Sequence, residues 1–183
     1  MNYDQYIKDA TRTESRIDAV NSSPKALMEA LQIFILSGQV LDLYKRQVYY
    51  GKDFTDEQIA PLLAEINTIS GEGVDRARED IDVNPRVFHA AMGFATEAGE
   101  IMEAMVAGIE GAGFDTVNFM EEIGDMNWYQ AIALDETGTE LEDILDRNIA
   151  KLKARFPEKF TEHHAANRDL DAERQILEGG AEA

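Results

Sequence analysis

The 183-residue chain contains no cysteine, which excludes disulfide bonds and thiolate catalysis and is compatible with the cytoplasm, the expected location. Basic residues are scarce: 17 Lys and Arg stand against 36 Asp and Glu, giving a formal net charge of −19. A surface of that sign repels nucleic-acid polymers and anionic membranes, and the only basic cluster is a short one near residue 150, so neither is expected as a partner. No uninterrupted apolar run approaches 18 residues, so no transmembrane helix is expected. The polar opening MNYDQYIKDATRTESR lacks the apolar stretch of a signal peptide. No useful length of sequence alternates apolar and polar residues as a strand does. Histidines number three, and the residues three places before them (Arg86, Phe160 and Thr161) include no Glu, so a di-iron Glu-x-x-His motif is absent, as is an EF-hand loop.

What remains is helical periodicity with clear stops and starts. Residues 1–20 read as a short amphipathic helix, broken at Asn21–Ser23. Ser23-Pro24 and Asn84-Pro85 each place a capping side chain before a proline at the first helical position. They open helices running to about Tyr50 and about Val106. Thr55 with Gln58 makes a capping box, although Pro61 should kink or restart that helix. Residues 70–83 read as a linker with one helical turn. Asp115 or Thr116 caps a further helix that Gly138 ends. Thr139 with Glu142 opens another, stopped by Pro157, whose last turn carries Lys151, Lys153 and Arg155. The remainder reads as a loop, a short charged helix and a frayed tail. The expected class is all-α, with residues 1–83, 84–160 and 161–183 as N-terminal half, central helices and tail.

The sharpest chemical signal is a pair of acidic pairs. Glu97 and Glu100 lie in ATEAGEIMEAM, Glu122 and Asp125 in FMEEIGDMNWY. Spacing of i,i+3 on a helix leaves two carboxylates on one face, about 60° apart. Most such pairs in an acidic chain are solvated surface. These, however, flank apolar stripes, and each helix carries an interior glycine (Gly99, Gly124). An interior Gly costs about 1 kcal/mol relative to Ala, which close approach of a helix or ligand would offset. Four carboxylates converging from two helices require a cation between them, and an all-oxygen site suits Mg²⁺ or Mn²⁺. Around them, His89 is either a core residue or a ligand contact. Trp128 and Tyr129 either fill the core or stack on a base. Asn148, Lys151 and Arg155 share a helix face and are either surface residues or phosphate contacts. His163 and His164 read as a solvated pair.

The two halves align with each other. Laying 23–42 on 84–103 puts Pro24 on Pro85, Ala30 on Ala91, Gly38 on Gly99 and Val40 on Ile101. LLAEINTIS at 62–70 resembles FMEEIGDMN at 119–127, with Glu65 on Glu122. Leu36, Gln39 and Thr68 then stand where Glu97, Glu100 and Asp125 stand in the second half. A degenerate internal duplication would leave one acidic site in a pseudo-symmetric four-helix core.

The motifs TEAGEIMEA, EEIGDMNWY and NIAKLKARFPEKF together resemble the MazG-like members of the all-α nucleoside triphosphate pyrophosphohydrolases of bacteria and phages. That resemblance covers residues 84–178 and touches the N-terminal helix. It implies a four-helix-bundle-like core and cleavage of an NTP or dNTP between the α- and β-phosphates, giving monophosphate and pyrophosphate. It further implies two or more Mg²⁺ or Mn²⁺ held by Glu97, Glu100, Glu122 and Asp125, with Glu97 or Glu100 as general base. Asn148, Lys151 and Arg155 would meet the phosphates, and His89, Trp128 and Tyr129 would line a base pocket. A purine such as dGTP or GTP is the favoured substrate, and a homo-oligomer, dimer or tetramer, the expected assembly. The chain departs from the family in one respect: a glycine loop (Gly108–Gly113) replaces the basic aromatic segment after the first acidic helix. A similar segment, YKRQVYYGKDFT, occurs at 44–55, so Lys45 or Lys52 could serve the site from the other half or from a neighbouring subunit. The alternatives are a phosphoribosyl-nucleotide hydrolase using the same acids, and a non-catalytic helical interaction module.

Overall fold

A computed structural model describes residues 2–71, 75, 77–157, 159 and 161–179. Among these the chain is helical, with eight helices and one short two-stranded ribbon. It divides into two compact units. One joins Met1–Glu14 to Asn127–Ala183, and the other is Ser15–Met126. This division differs from the halves expected at 83/84, because the first segment groups with the C-terminal one.

In the unit Ser15–Met126, β1 (Val20–Ser22) leads into α2 (Pro24–Tyr50), and β2 (Glu79–Ile81) into α4 (Pro85–Ile109). The expected caps are in place. Ser23 Oγ accepts from Ala26 N–H at 3.2 Å, and Asn84 Oδ1 from the N–H groups of Arg86 and Val87 at 3.0 Å. Gly51 ends α2 in the left-handed region at φ 61°, which favours glycine there. Helix α3 (Asp56–Ser70) folds back against α2 and runs through Pro61 without ending. Gln58 Oε1 accepts from Thr55 N–H at 2.9 Å at its start. The ribbon was not foreseen: β1 and β2 pair antiparallel with Val20 opposite Ile81 and Ser22 opposite Glu79. The one helical turn expected within 70–83 is therefore not found at 79–81, while residues 72–74 and 76 lie outside the described part.

In the other unit, α1 spans Tyr3–Thr11, shorter than the helix expected over 1–20. The Thr11 and Thr13 hydroxyls donate to the carbonyls of Ile7 and Ala10, taking up the last turn's acceptors. Helix α5 (Thr116–Thr137) begins in the first unit, capped by Asp115, and ends here at Gly138, φ 61°. Ala131, Ile132 and Leu134 on α5 and Ala10 on α1 are its buried apolar residues. Helix α6 (Leu141–Arg155) starts at Glu140, which makes no side-chain cap, so the expected Thr139–Glu142 box is not formed. α7 (Glu162–Ala166) and α8 (Leu170–Leu177) follow. Glu173 on α8 is buried and accepts from Arg155 Nε on α6 at 2.8 Å and from Arg168 Nη2 at 2.6 Å. The two guanidinium groups lower its pKa to about 2, against the cost of burial. His164 is half-buried with its ring near Phe156 (6.5 Å between centroids), so it does not form the fully solvated pair read from the sequence.

One helix runs against the membrane expectation. Within α2, 18 residues average a hydropathy of 1.4 despite Glu29 and Asp42, so its length and composition suffice to cross a bilayer.

Candidate metal centre

Helices α4 and α5 bring the acidic pairs together. One carboxylate oxygen from each of Glu97, Glu122 and Asp125 lies within 4.8 Å of the others. Glu97 is 8% exposed and Glu122 4%, whereas Asp125 is open to solvent. Buried carboxylates are normally paired with a cation or fully hydrogen-bonded. Among the described residues neither Glu97 nor Glu122 carries a salt bridge. Thr96 Oγ1 lies 3.3 Å from Glu97 Oε1 but is nearer, at 3.0 Å, to the Gly93 carbonyl. Thr96 is a neighbour that sequence reasoning missed, since a lone Thr inside a helix carries no signal of its own.

The electrostatics follow from this crowding. Glu122 is pushed above the usual carboxylate range by burial first, then by a hydrogen bond shared with Glu97 and the charges of Glu97, Asp125 and Glu121. Glu100 is exposed and lies outside the three-oxygen cluster. The charge of Glu122 is the main influence raising its pKa, followed by partial desolvation and the charges of Glu103 and Asp125. Three of the four acids thus meet, and Glu100 stands just outside them.

The donor set fits a hard divalent cation. Ligands at about 2.1 Å around an octahedral ion sit about 3 to 4 Å from each other, so a small inward movement of three oxygens would seat one. The three protein oxygens leave coordination positions for water or phosphate oxygens, as Mg²⁺ sites usually do. A Cβ at Gly99 or Gly124 would meet no atom within 4 Å, so among the described residues no neighbouring helix closes on either, which leaves a ligand as the expected occupant.

The other expected residues are distributed over the chain. His89 is half-buried on α4, and Lys52 is exposed just beyond the end of α2. Lys45 is held by Asp42 at 2.5 Å. Trp128 and Tyr129, on the α5 turn after the acids, belong to the other unit. Their rings form an edge-on pair at 4.9 Å, and the Trp128 indole N–H points at Ala10 O (3.1 Å) and Thr13 Oγ1 (2.9 Å). Asn148 and Lys151 are half-buried on α6, and Arg155 on the same face is engaged by Glu173. No protein-family model, curated protein or solved structure matches the chain.

Proposed function

We propose that the chain is a metal-dependent hydrolase of nucleoside triphosphates, cutting between the α- and β-phosphates to release a monophosphate and pyrophosphate. The observation that carries this reading is the cluster of three carboxylate oxygens within 4.8 Å, two of them from buried residues without a cation. The bond choice and substrate class come from the resemblance to the MazG-like enzymes, and a purine triphosphate is the favoured substrate. Mg²⁺ or Mn²⁺ bound there would polarise the α-phosphoryl group and acidify the attacking water. Glu97, Glu122 and Asp125 are the residues that would hold it. Glu100, exposed beside them and raised in pKa, is suited to accept the proton from water. Lys52 and His89 belong to the same unit as the acids, and they are the candidates to meet the leaving pyrophosphate and the base. Arg155 is better assigned to holding α8 through Glu173.

We also infer that the chain arose by duplication of one helical hairpin. Val20 and Ile81 are 61 residues apart, the same offset that aligns Pro24 with Pro85. In the ribbon they stand opposite one another. Equivalent residues facing each other across an antiparallel pair are what a local two-fold axis produces. This supports a MazG-type core built from two related hairpins, of which only the second keeps its acids.

The test is product analysis by ion-exchange chromatography, with the eight common NTPs and dNTPs, Mg²⁺ or Mn²⁺, and Glu122→Gln beside the wild type. Monophosphate plus pyrophosphate, lost with EDTA and in the variant, is expected. Diphosphate plus phosphate would reject the bond choice, and no turnover of any nucleotide would overturn the reading.

A further inference from the structure

One neutral hydroxyl stands within reach of the three acids. Thr96 Oγ1 lies 3.0 Å from the Gly93 carbonyl oxygen and 3.3 Å from Glu97 Oε1. Adjacent residues on a helix point about 100° apart, so helix geometry alone does not bring side chains i and i+1 together. Thr96 reaches Glu97 because its hydroxyl turns back toward the carbonyl of the preceding turn. Among the described residues it is the one side chain outside the acids that bonds to any of Glu97, Glu122 and Asp125. A threonine hydroxyl has a single proton to give, and here a neutral carbonyl and a carboxylate both face it. The carbonyl is the nearer, and 3.3 Å is long for an O–H···O bond, which runs about 2.5–3.0 Å. Rotation of the hydroxyl and a small approach by Glu97 would redirect the proton to the carboxylate. A hydrogen bond to an ionised group is about twice as strong as one between neutral groups.

We propose that Thr96 is a positioning residue for the metal centre, its hydroxyl holding the Glu97 carboxylate in the orientation that binds a divalent cation. The inference rests on the metal-dependent reading of the three acids. A carboxylate that binds a cation through one oxygen leaves the other in need of a donor. Glu97 is buried, so water reaches that oxygen poorly, and Thr96 supplies the donor from the protein. Partners of this kind fix a ligand's orientation before the cation arrives. Neither packing nor propensity accounts for the residue. Thr96 is exposed, and threonine is among the weaker helix formers. The proposed duplication adds a comparison within the chain, because it lays Thr96-Glu97 on Ile35-Leu36. The hairpin that lacks the carboxylate lacks the hydroxyl as well. Ile35 is 56% exposed, so the core does not demand an apolar side chain at that position. The hydroxyl and the carboxylate therefore go together, as the parts of one site do.

The test is isothermal titration calorimetry with Mn²⁺ on the full chain, which reads the site without any nucleotide. Thr96→Val keeps the shape of the side chain and removes the hydroxyl. It is expected to weaken Mn²⁺ binding at least about 10-fold, the usual cost of losing a group that orients a metal ligand. Thr96→Ser keeps the hydroxyl and is expected to bind as the wild type does. Thr68→Val is the control: the Thr68 hydroxyl donates to the Ala64 carbonyl on α3 at 2.9 Å and bonds to no carboxylate. Its loss removes the same kind of helical bond and should leave the affinity unchanged. Helical circular dichroism of the metal-free proteins should be the same in all four. A Thr96→Val protein that binds Mn²⁺ as tightly as the wild type would overturn the proposal and leave the metal centre standing. So would equal losses in Thr96→Val and Thr96→Ser, or in Thr96→Val and Thr68→Val, since the hydroxyl beside Glu97 would then not be the cause. A wild type that takes up no Mn²⁺ would overturn the metal centre itself, and this proposal with it.

Discussion

Removing one charge at the centre of the acidic cluster should separate a metal site from a merely crowded surface. In Glu122→Gln the side chain keeps its shape and its capacity to hydrogen-bond Glu97 but loses the charge. Glu122 is 4% exposed, and its pKa is raised by burial and by three neighbouring acids. A carboxylate whose folded pKa lies above its unfolded value binds more protons in the native state, so stability falls as pH rises through that interval. Without metal, the wild type should therefore be more stable near pH 5 than at pH 7.5, and the variant should narrow that difference. At pH 7.5 the metal-free variant should melt above the wild type. With Mn²⁺ the order should invert. A cation at 100 times its dissociation constant stabilises the native state by about 2.7 kcal/mol. For a chain of this size each kcal/mol moves the midpoint by about 2–4 °C, so the wild type should rise by about 5–10 °C. The variant should hardly respond. Thermal unfolding followed by circular dichroism, with and without Mn²⁺ at two pH values, gives all four quantities. Equal Mn²⁺ shifts in the two proteins, or a metal-free variant less stable than the wild type at pH 7.5, would refute the reasoning.

Other consequences follow from single contacts. Glu173→Ala should cost about 3 kcal/mol, because it leaves Arg155 without its buried partner, and urea unfolding would measure it. The pKa of Glu173 is lowered to about 2, so the stability this contact supplies is complete above the ordinary carboxylate range and is lost progressively as pH falls from that range through about 2; acid titration of α8 helicity should show that gradual loss. Trp128→Phe should cost about 1 kcal/mol through the lost indole hydrogen bond to α1, read as a lower urea midpoint. Gly138→Ala should cost about 1 kcal/mol in the same assay, since φ is 61° where α5 ends.

What was legible in the sequence was what local chemistry dictates. The starts of α2 and α4 are written in Ser23-Pro24 and Asn84-Pro85, where one side chain and one ring fix the first turn. That Glu122 and Asp125 share one side of α5 was legible because i,i+3 spacing fixes it, whereas that Glu97 and not Glu100 meets them is set by how α4 packs on α5. The ribbon was not, since Val-Asn-Ser and Glu-Asp-Ile are too short to show alternation and owe their pairing to partners about 60 residues away. The role of Arg155 was hidden for a similar reason. Its partner Glu173 is 18 residues on, across a turn whose geometry no spacing rule supplies.

The proposed duplication also bears on why Glu97 is where it is. It pairs Glu97 with Leu36, and the two are equally shielded, each 8% exposed. Burying a leucine contributes about 2 kcal/mol to folding. Burying an unpaired carboxylate opposes folding, and here Glu122 lies beside it with the same sign. On the proposed duplication, one position serves the core in one hairpin and works against it in the other. A chain selected for stability alone would carry an apolar residue at 97 as it does at 36. The two buried acids therefore fit a requirement outside folding, and a bound divalent cation both meets that requirement and removes the repulsion.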